Sequence, residues 1–456
     1  MTSDTAPRHV FDLLTQLNGD ETVTEIFSET SMIRSWLRSE VALARAQSKL
    51  GLIRPSDKDA IARVARVENV DRPALWAEAR VVGYPILPLV RQLDALLPAE
   101  NQGTLHLGAT TQDIMDTGLV LQLIAAADCL QELVAQLGDV VEEACAAHVD
   151  TVMPGRTHAL HAVPTTWGAK LAVYLSDLAR HADAMHDARD RVAAVSLYGA
   201  GGTSAAYGPE ADEIRTLVAK ELGLKAEAVP WHVSRGRLAE WVQSCVNLTG
   251  TLSRLAREVI DLSRNEIAEV TERSGHLRGA SSTMPQKANP ITSEILVGTA
   301  IVMGGLAGTL GRVMEAGHER AAGEWQAEWY VLPQAATLTA SALRAALDLV
   351  AGLEVHGERM RDNLELDQGL VMSEAYMISL AGRVGRERAH DLVYHAARHA
   401  RGAEVSLRQA LAETLPHDLV AAVEELDASA YVGTPATVVA AAIAAWRQAP
   451  RPGGRP

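Results

Sequence analysis

Between residues 247 and 270 the chain repeats leucine or valine at steps of four and three: Leu248, Leu252, Leu255, Val259 and Leu262. That spacing keeps one apolar stripe along a single side of a long helix. The segment 117–148 is equally long, mostly apolar and free of proline, and a further long helix is predicted from about 291 to 316. Helices this apolar need to pack lengthwise on one another, so the pattern predicts an all-α fold with a central long-helix bundle. The run 295–311 (ILVGTAIVMGGLAGTLG) falls short of the roughly 20 apolar residues of a membrane span. Its small residues suit a helix buried on all sides inside the bundle.

Between the periodic stretches lie segments marked by glycine, proline and hydroxyl residues. They are NQGTLHLGATTQD (101–113), MPGRTHALHAVPTT (153–166), YGAGGTSAAYG (198–208) and GASSTMPQKANPI (279–291). No succession of alternating strands accompanies them. Boundaries near 103 and 350 divide the chain into a helical head (1–103), the bundle (104–350) and a helical cap (351–456).

The 456 residues carry 42 Lys and Arg against 57 Asp and Glu, a formal charge of −15. That balance excludes a sequence-independent grip on nucleic acid, which needs a basic face. A local basic pocket for a small polyanion stays compatible with it. Cys129, Cys145 and Cys245 lack metal-ligand spacing, and an odd number of thiols fits a reducing cytoplasm. The opening MTSDTAPRHVFDLL has no apolar core behind basic residues, so secretion is not expected. We therefore expect a cytoplasmic protein without metal or cofactor, and without membrane or nucleic-acid partners.

Each polar segment has a plain reading on its own. Thr110, Thr111 and Asp113 would cap the helix that begins there. His158 would be a structural histidine, Lys287 a solvated lysine, and 279–291 a connector. That connector cannot be helix interior, because Pro285 and Pro290 remove backbone donors and bias Met284 and Asn289 away from helical geometry. Together, hydroxyls, a lysine, an asparagine, a histidine and threonines suit a site that binds carboxylates and moves protons. GAGGTS lacks the lysine of a phosphate-binding loop, and Ser281 does not stand in a G-x-S-x-G elbow.

The stretch Ser281 to Asn289, SSTMPQKAN, resembles the signature loop G-S-S-x-M-P-x-K-x-N of the fumarase/aspartase superfamily, with Ala280 at the usual glycine. GRTHALHAVPTTWG (155–168) and HLGATTQDIMDTG (106–118) resemble two further motifs of that family, in the same order. HLGATTQDIMDT is most similar to its 3-carboxy-cis,cis-muconate cycloisomerase and adenylosuccinate lyase branch, and PWHVSRGR (230–237), ERAAGEWQAEW (319–329) and the run 373–390 look like the cycloisomerases in particular. Leu160 and Gly236 depart from the residues usual there.

The resemblance implies a three-domain fold whose homotetramer builds each site from three subunits. It implies Ser281 as the base next to a substrate carboxylate, with Lys287 and Asn289 holding that carboxylate as it takes up charge. His158 would assist the departing group. Thr110, Thr111, Thr157 and Ser282 would bind substrate, a small di- or tricarboxylate, and Arg320 would clamp a further anion. The chemistry has the same need: a carbon acid beside a carboxylate is very weak, and each placed oxyanion donor supplies on the order of 3 kcal/mol. A histidine at position 158 tilts the expectation toward a lyase that cleaves C–N in a succinyl-type substrate and releases fumarate. The alternative is a cycloisomerase that closes or opens a lactone. A catalytically dead scaffold is disfavoured by the intact set.

Overall fold

The computed structural model describes residues 17, 19–273, 279–280, 283–284, 286–421, 423 and 426–452. Ser281 and Ser282 lie outside the described residues. The head comprises α1 (Glu21–Ile26), α2 (Glu29–Lys49), α3 (Pro55–Val64), α4 (Arg72–Val82) and α5 (Ile86–Ala95). Their starts follow local rules: Asp20, Ser28 and Asp71 accept the amides of Val23, Ser31 and Ala74, and Pro55 takes the first position of α3. Trp36, Leu37, Leu75, Ile86 and Leu89 meet in one core between them.

Next come α6 (Thr111–Ala147), the hairpin β1 (Val152–Thr157) and β2 (Leu160–Thr166), α7 (Trp167–Val192) and α8 (Ala211–Leu222). They are followed by α9 (Gly236–Leu262), β3 (Val270–Thr271), α10 (Ile291–Val313), α11 (Glu324–Ala351) and β4 (Glu354–Val355). The long members α6, α7, α9, α10 and α11 share one hydrophobic core. Every residue of the predicted seam on α9, from Leu248 to Leu262, is buried there.

Helix α10, expected to be buried on all sides in a bundle, is covered only in part within this chain. Within the chain α10 packs on α9 and α11 and is buried on one face only, through Leu296, Met303, Leu306 and Leu310. Its other face leaves Ile301 67% and Val302 42% exposed. Too few helices of one chain surround it to cover both faces. A second difference is the hairpin: Pro154 stands directly opposite Pro164, so two residues without N–H share a position that needs none.

The cap packs α12 (Gly357–Leu364), α13 (Ser373–Val384), α14 (Arg386–Ala403), α15 (Leu407–Thr414) and α16 (His417–Val420) around Leu380, Val393 and Leu411. The last helix, α17 (Pro435–Gln448), returns to the bundle. Its Trp446 indole lies where a Cβ on Gly138 of α6 would come within 2.0 Å, and donates Nε1–H to Asp139 at 2.9 Å.

At 1.5 Å per residue, the 37 residues of α6 span about 55 Å. Its start is the near end of the bundle. The hairpin is rooted at its far end, where the amides of Trp167 and Gly168 donate to the carbonyls of Thr151 and His148. Helix α9 starts at the near end and finishes at the far end, α10 runs back, and α11 returns.

Candidate active site

At the near end Thr110 is the N-cap of α6, and its amide donates to Asp113 Oδ2 at 3.1 Å. Asp113 is wholly buried and does more than cap. Its Oδ1 accepts the Tyr198 amide at 2.8 Å and faces His232 Nε2 at 2.8 Å, while Oδ2 also accepts the Gly199 amide at 2.9 Å. One carboxylate thus gathers the helix start, the glycine-rich 198–202 turn and the 230–235 segment.

Thr111 opens the helix, and Gln112 behind it joins the same group. Gln112 donates to the carbonyl of His232 at 2.9 Å and to Asp116 at 3.2 Å, and its Oε1 accepts Arg320 Nε at 3.0 Å. Arg320 also reaches the Ala200 carbonyl at 3.1 Å. Thr110 and Thr111 therefore stand together with Arg320, which is distant in sequence.

Beneath them Arg235 is buried between two carboxylates. It donates to Asp116 at 2.8 Å and to Glu328 at 2.7 Å, and Trp325 donates to Asp116 at 3.0 Å. Burial works against the Arg235 charge, but the two carboxylates outweigh it and hold its pKa above the ordinary value. Burial raises the Glu328 carboxyl, with Arg235 opposing. Beside Thr110, His106 sits at φ 61° with Nδ1 2.6 Å from the buried Glu40. Burial lowers its pKa, yet Glu40 and then Asp113 outweigh that and the net direction is upward.

At the far end Thr157 and His158 stand exposed at the hairpin tip. His158 and Ala159 form its two-residue turn, both left-handed, with φ 51° and 66°. For residues carrying a Cβ that geometry costs roughly 1–2 kcal/mol each. The hairpin stem is anchored by Arg156, whose guanidinium meets the buried Glu269 at 2.9 Å. Glu269 in turn accepts Asn363 at 2.7 Å.

Residues 279–280 and 286–290 lie at the same end. They are joined by the Asn289 amide and side chain, which donate to the Gly279 carbonyl at 2.9 and 3.1 Å, and Ala280 bridges Ala288. Gly279 has φ 66°, and a Cβ there would meet the Asn289 carbonyl oxygen at 2.6 Å, so only glycine fits. Glu272 caps the following helix by accepting the amides of Thr292 and Ser293 at 3.1 and 2.8 Å. Lys287 is exposed on this loop.

The predicted residues thus fall into two sets. Thr110, Thr111 and Arg320 occupy the near end; Thr157, His158, Lys287 and Asn289 occupy the far end. The length of α6 separates them. Sequence reasoning gave no role to Gln112, Asp116, His232, Arg235 or Glu328. The visible signal was charge inside apolar stretches: Asp116 lies in a helix otherwise rich in leucine, and Arg235 directly precedes α9.

A family model described as "Lyase" matches residues 19–305, and one described as "Adenylosuccinate lyase C-terminus" matches 369–442. A 3-carboxy-cis,cis-muconate cycloisomerase of Pseudomonas aeruginosa is 40% identical over 405 residues, 88% of this chain and 88% of that one. An N-acetyl-S-(2-succino)cysteine lyase of Enterococcus italicus is 32% identical over 449 residues, 96% of this chain and 98% of that one. The crystal structure of a 3-carboxy-cis,cis-muconate lactonizing enzyme from Pseudomonas putida superposes with a TM-score of 0.89 at 36% identity, covering 96% of this chain and 99% of that one.

Proposed function

The chain belongs to the fumarase/aspartase superfamily of lyases, and on that premise we propose that it is a cycloisomerase acting on 3-carboxy-cis,cis-muconate or a close unsaturated tricarboxylate. The observation that carries this reading is the end-to-end likeness, in sequence and in backbone, to enzymes with that activity. It reverses the lean toward C–N cleavage that His158 suggested. Elimination from a succinylated substrate is the second reading, supported by the less similar succinylcysteine lyase.

In the proposed reaction a substrate carboxylate oxygen bonds to the carbon β to a second carboxylate. The electron pair of the double bond moves toward that second carboxylate, which becomes an aci-carboxylate. Lys287 and the threonines hold the added charge, and the Ser281 hydroxyl delivers a proton to the α carbon, so closing the lactone takes up one proton overall. In the opening direction the Ser281 alkoxide removes it. His158 orients the attacking carboxylate, and Arg320, braced by Gln112, clamps the third.

The partner is a second copy of this chain. Residue sets separated by the length of α6, about 55 Å, do not serve one small substrate, and α10 carries an apolar face left uncovered within the chain. Helices α6 and α10 are both long and apolar enough to cross a membrane by length and composition. We assign the open face of α10 to neighbouring subunits of a homotetramer, in which near and far ends of different chains meet. Purified protein is mixed with 3-carboxy-cis,cis-muconate and, separately, with succinylated amines and N-acetyl-S-(2-succino)cysteine. Loss of diene absorbance with lactone formation is expected. Fumarate release from a succinylated substrate without any lactone would establish the second reading instead. Refolding His158→Asn together with Ser281→Ala should restore partial activity; no rescue in verified mixed oligomers would count against shared sites.

A further inference from the structure

In the head, a cavity of about 370 Å³ opens between α2, the segment after α3 and the end of α8. Four arginines line it: Arg34, Arg38 and Arg45 from one side of α2, and Arg66 from across the gap. Arg45 is paired with Glu221. Arg34, Arg38 and Arg66 have no carboxylate partner among the described residues, although Glu68 is also in the wall. Leu37, Val41 and Leu222 supply an apolar floor.

This arrangement opposes the rest of the chain. A protein with 57 acidic against 42 basic side chains has carboxylates to spare for surface arginines. Here three guanidinium groups stay unpaired around one concavity, and Arg34 and Arg38 repel one another at a spacing of four along a helix. Their planar forks suit two-point recognition of phosphate or carboxylate oxygens. Four cations against two carboxylates leave two positive charges uncompensated, and the volume lies in the range of small-ligand sites.

We propose that this cavity is a second anion site, separate from the reaction site, that takes an organic dianion with a short apolar body: a phosphate monoester or a dicarboxylate. The site stands beside the reaction machinery. The same helix, α2, carries Glu40 and Gln47, which hold His106 and the Leu107 carbonyl in the loop leading to Thr110.

The test is isothermal titration of the full-length protein with inorganic phosphate, AMP and phthalate. The probes are also titrated into Lys287→Ala, where binding at the reaction site is weakened. At least one probe should saturate near one per chain in both proteins, with affinity falling as salt rises. The pair Arg38→Ala/Arg66→Ala should weaken that binding at least tenfold, while Arg38→Lys/Arg66→Lys retains part of it. These side chains are exposed, so the variants should fold, and circular dichroism checks that they do. Tighter binding of AMP than phthalate names the phosphate class, and the reverse names the dicarboxylate. Binding by no probe, binding unchanged in the alanine pair, or binding that disappears in Lys287→Ala would overturn the proposal. None of these outcomes depends on which reaction the enzyme catalyses.

Discussion

Asp113→Asn isolates the groups that shape the near end. The two carboxylate oxygens serve four donors: Oδ1 the Tyr198 amide and His232 Nε2, Oδ2 the Gly199 and Thr110 amides. An asparagine keeps one accepting oxygen and points an NH₂ at the other pair. If the NH₂ replaces Oδ2, the amides of Gly199 and Thr110 both lose their acceptor. If it replaces Oδ1, the Tyr198 amide does, and His232 must change tautomer. That change moves its proton to Nδ1, a buried atom with no partner. Either way two buried or partly buried donors go unsatisfied, at about 1–3 kcal/mol each, or roughly 2–6 kcal/mol together. A chain of this size need not unfold in one step, so local opening is the better measure. Hydrogen exchange, followed by mass spectrometry on peptides spanning 106–113 and 196–202, should accelerate about 30-fold to 10⁴-fold, since each 1.36 kcal/mol is a factor of ten. Peptides from α14 should not change. Exchange within threefold of wild type at both segments would show that Asp113 does not hold them.

Arg235→Met leaves Asp116 and Glu328 facing one another without their cation, and should cost about 3–5 kcal/mol in thermal or denaturant stability. Adding Glu328→Leu should recover part of it, and a double variant worse than the single one would contradict the pairing. For Glu40→Gln the sign follows from His106, whose pKa is raised in the folded chain. The Glu40–His106 contribution is full below the unfolded value near 6.5 and fades as pH rises through the folded value. The gap in melting temperature between wild type and Glu40→Gln should therefore narrow as pH rises above about 6.5; a gap that widens would mean the imidazole is not the charged partner. Gly138→Ala drives a methyl into the Trp446 ring and should destabilise the docking of α17 by about 1–3 kcal/mol. An unchanged Trp446 environment by fluorescence, in a chain stripped of its other tryptophans, would refute that clash.

The bundle was legible because a long helix announces itself through spacing alone: every leucine of the α9 seam is buried where periodicity put it. Asp113 was legible only as a cap. Its bonds to Tyr198, Gly199 and His232 join residues 85 to 119 positions away, and local pattern carries no record of such pairings. Arg235 was hidden for the same reason, since its two carboxylates are 119 and 93 positions distant. The hairpin was missed because its prolines read as punctuation, and only the register, with Pro154 against Pro164, shows how a strand pair accommodates them. The partial cover of α10 has a different origin. Apolar composition signals burial without saying whether the cover comes from the same chain.

That ambiguity links the bundle to the chemistry. A helix of 37 residues is a stiff spacer, and it puts Thr110, Thr111 and Arg320 at one end and Thr157, His158, Lys287 and Asn289 at the other. Within one chain the separation makes the two sets useless to each other. Between chains laid side by side in opposite directions, the same length brings a near end of one subunit level with a far end of its neighbour. The apolar face of α10 then has a cover, and the strained turn that presents His158 has a substrate to meet. Such a site needs no long loops to reach across the molecule, because rigid helices carry each group into place. In the proposed homotetramer its residues are read from sequence as scattered motifs for that reason: their proximity would be a property of the assembly, each chain supplying only its ends.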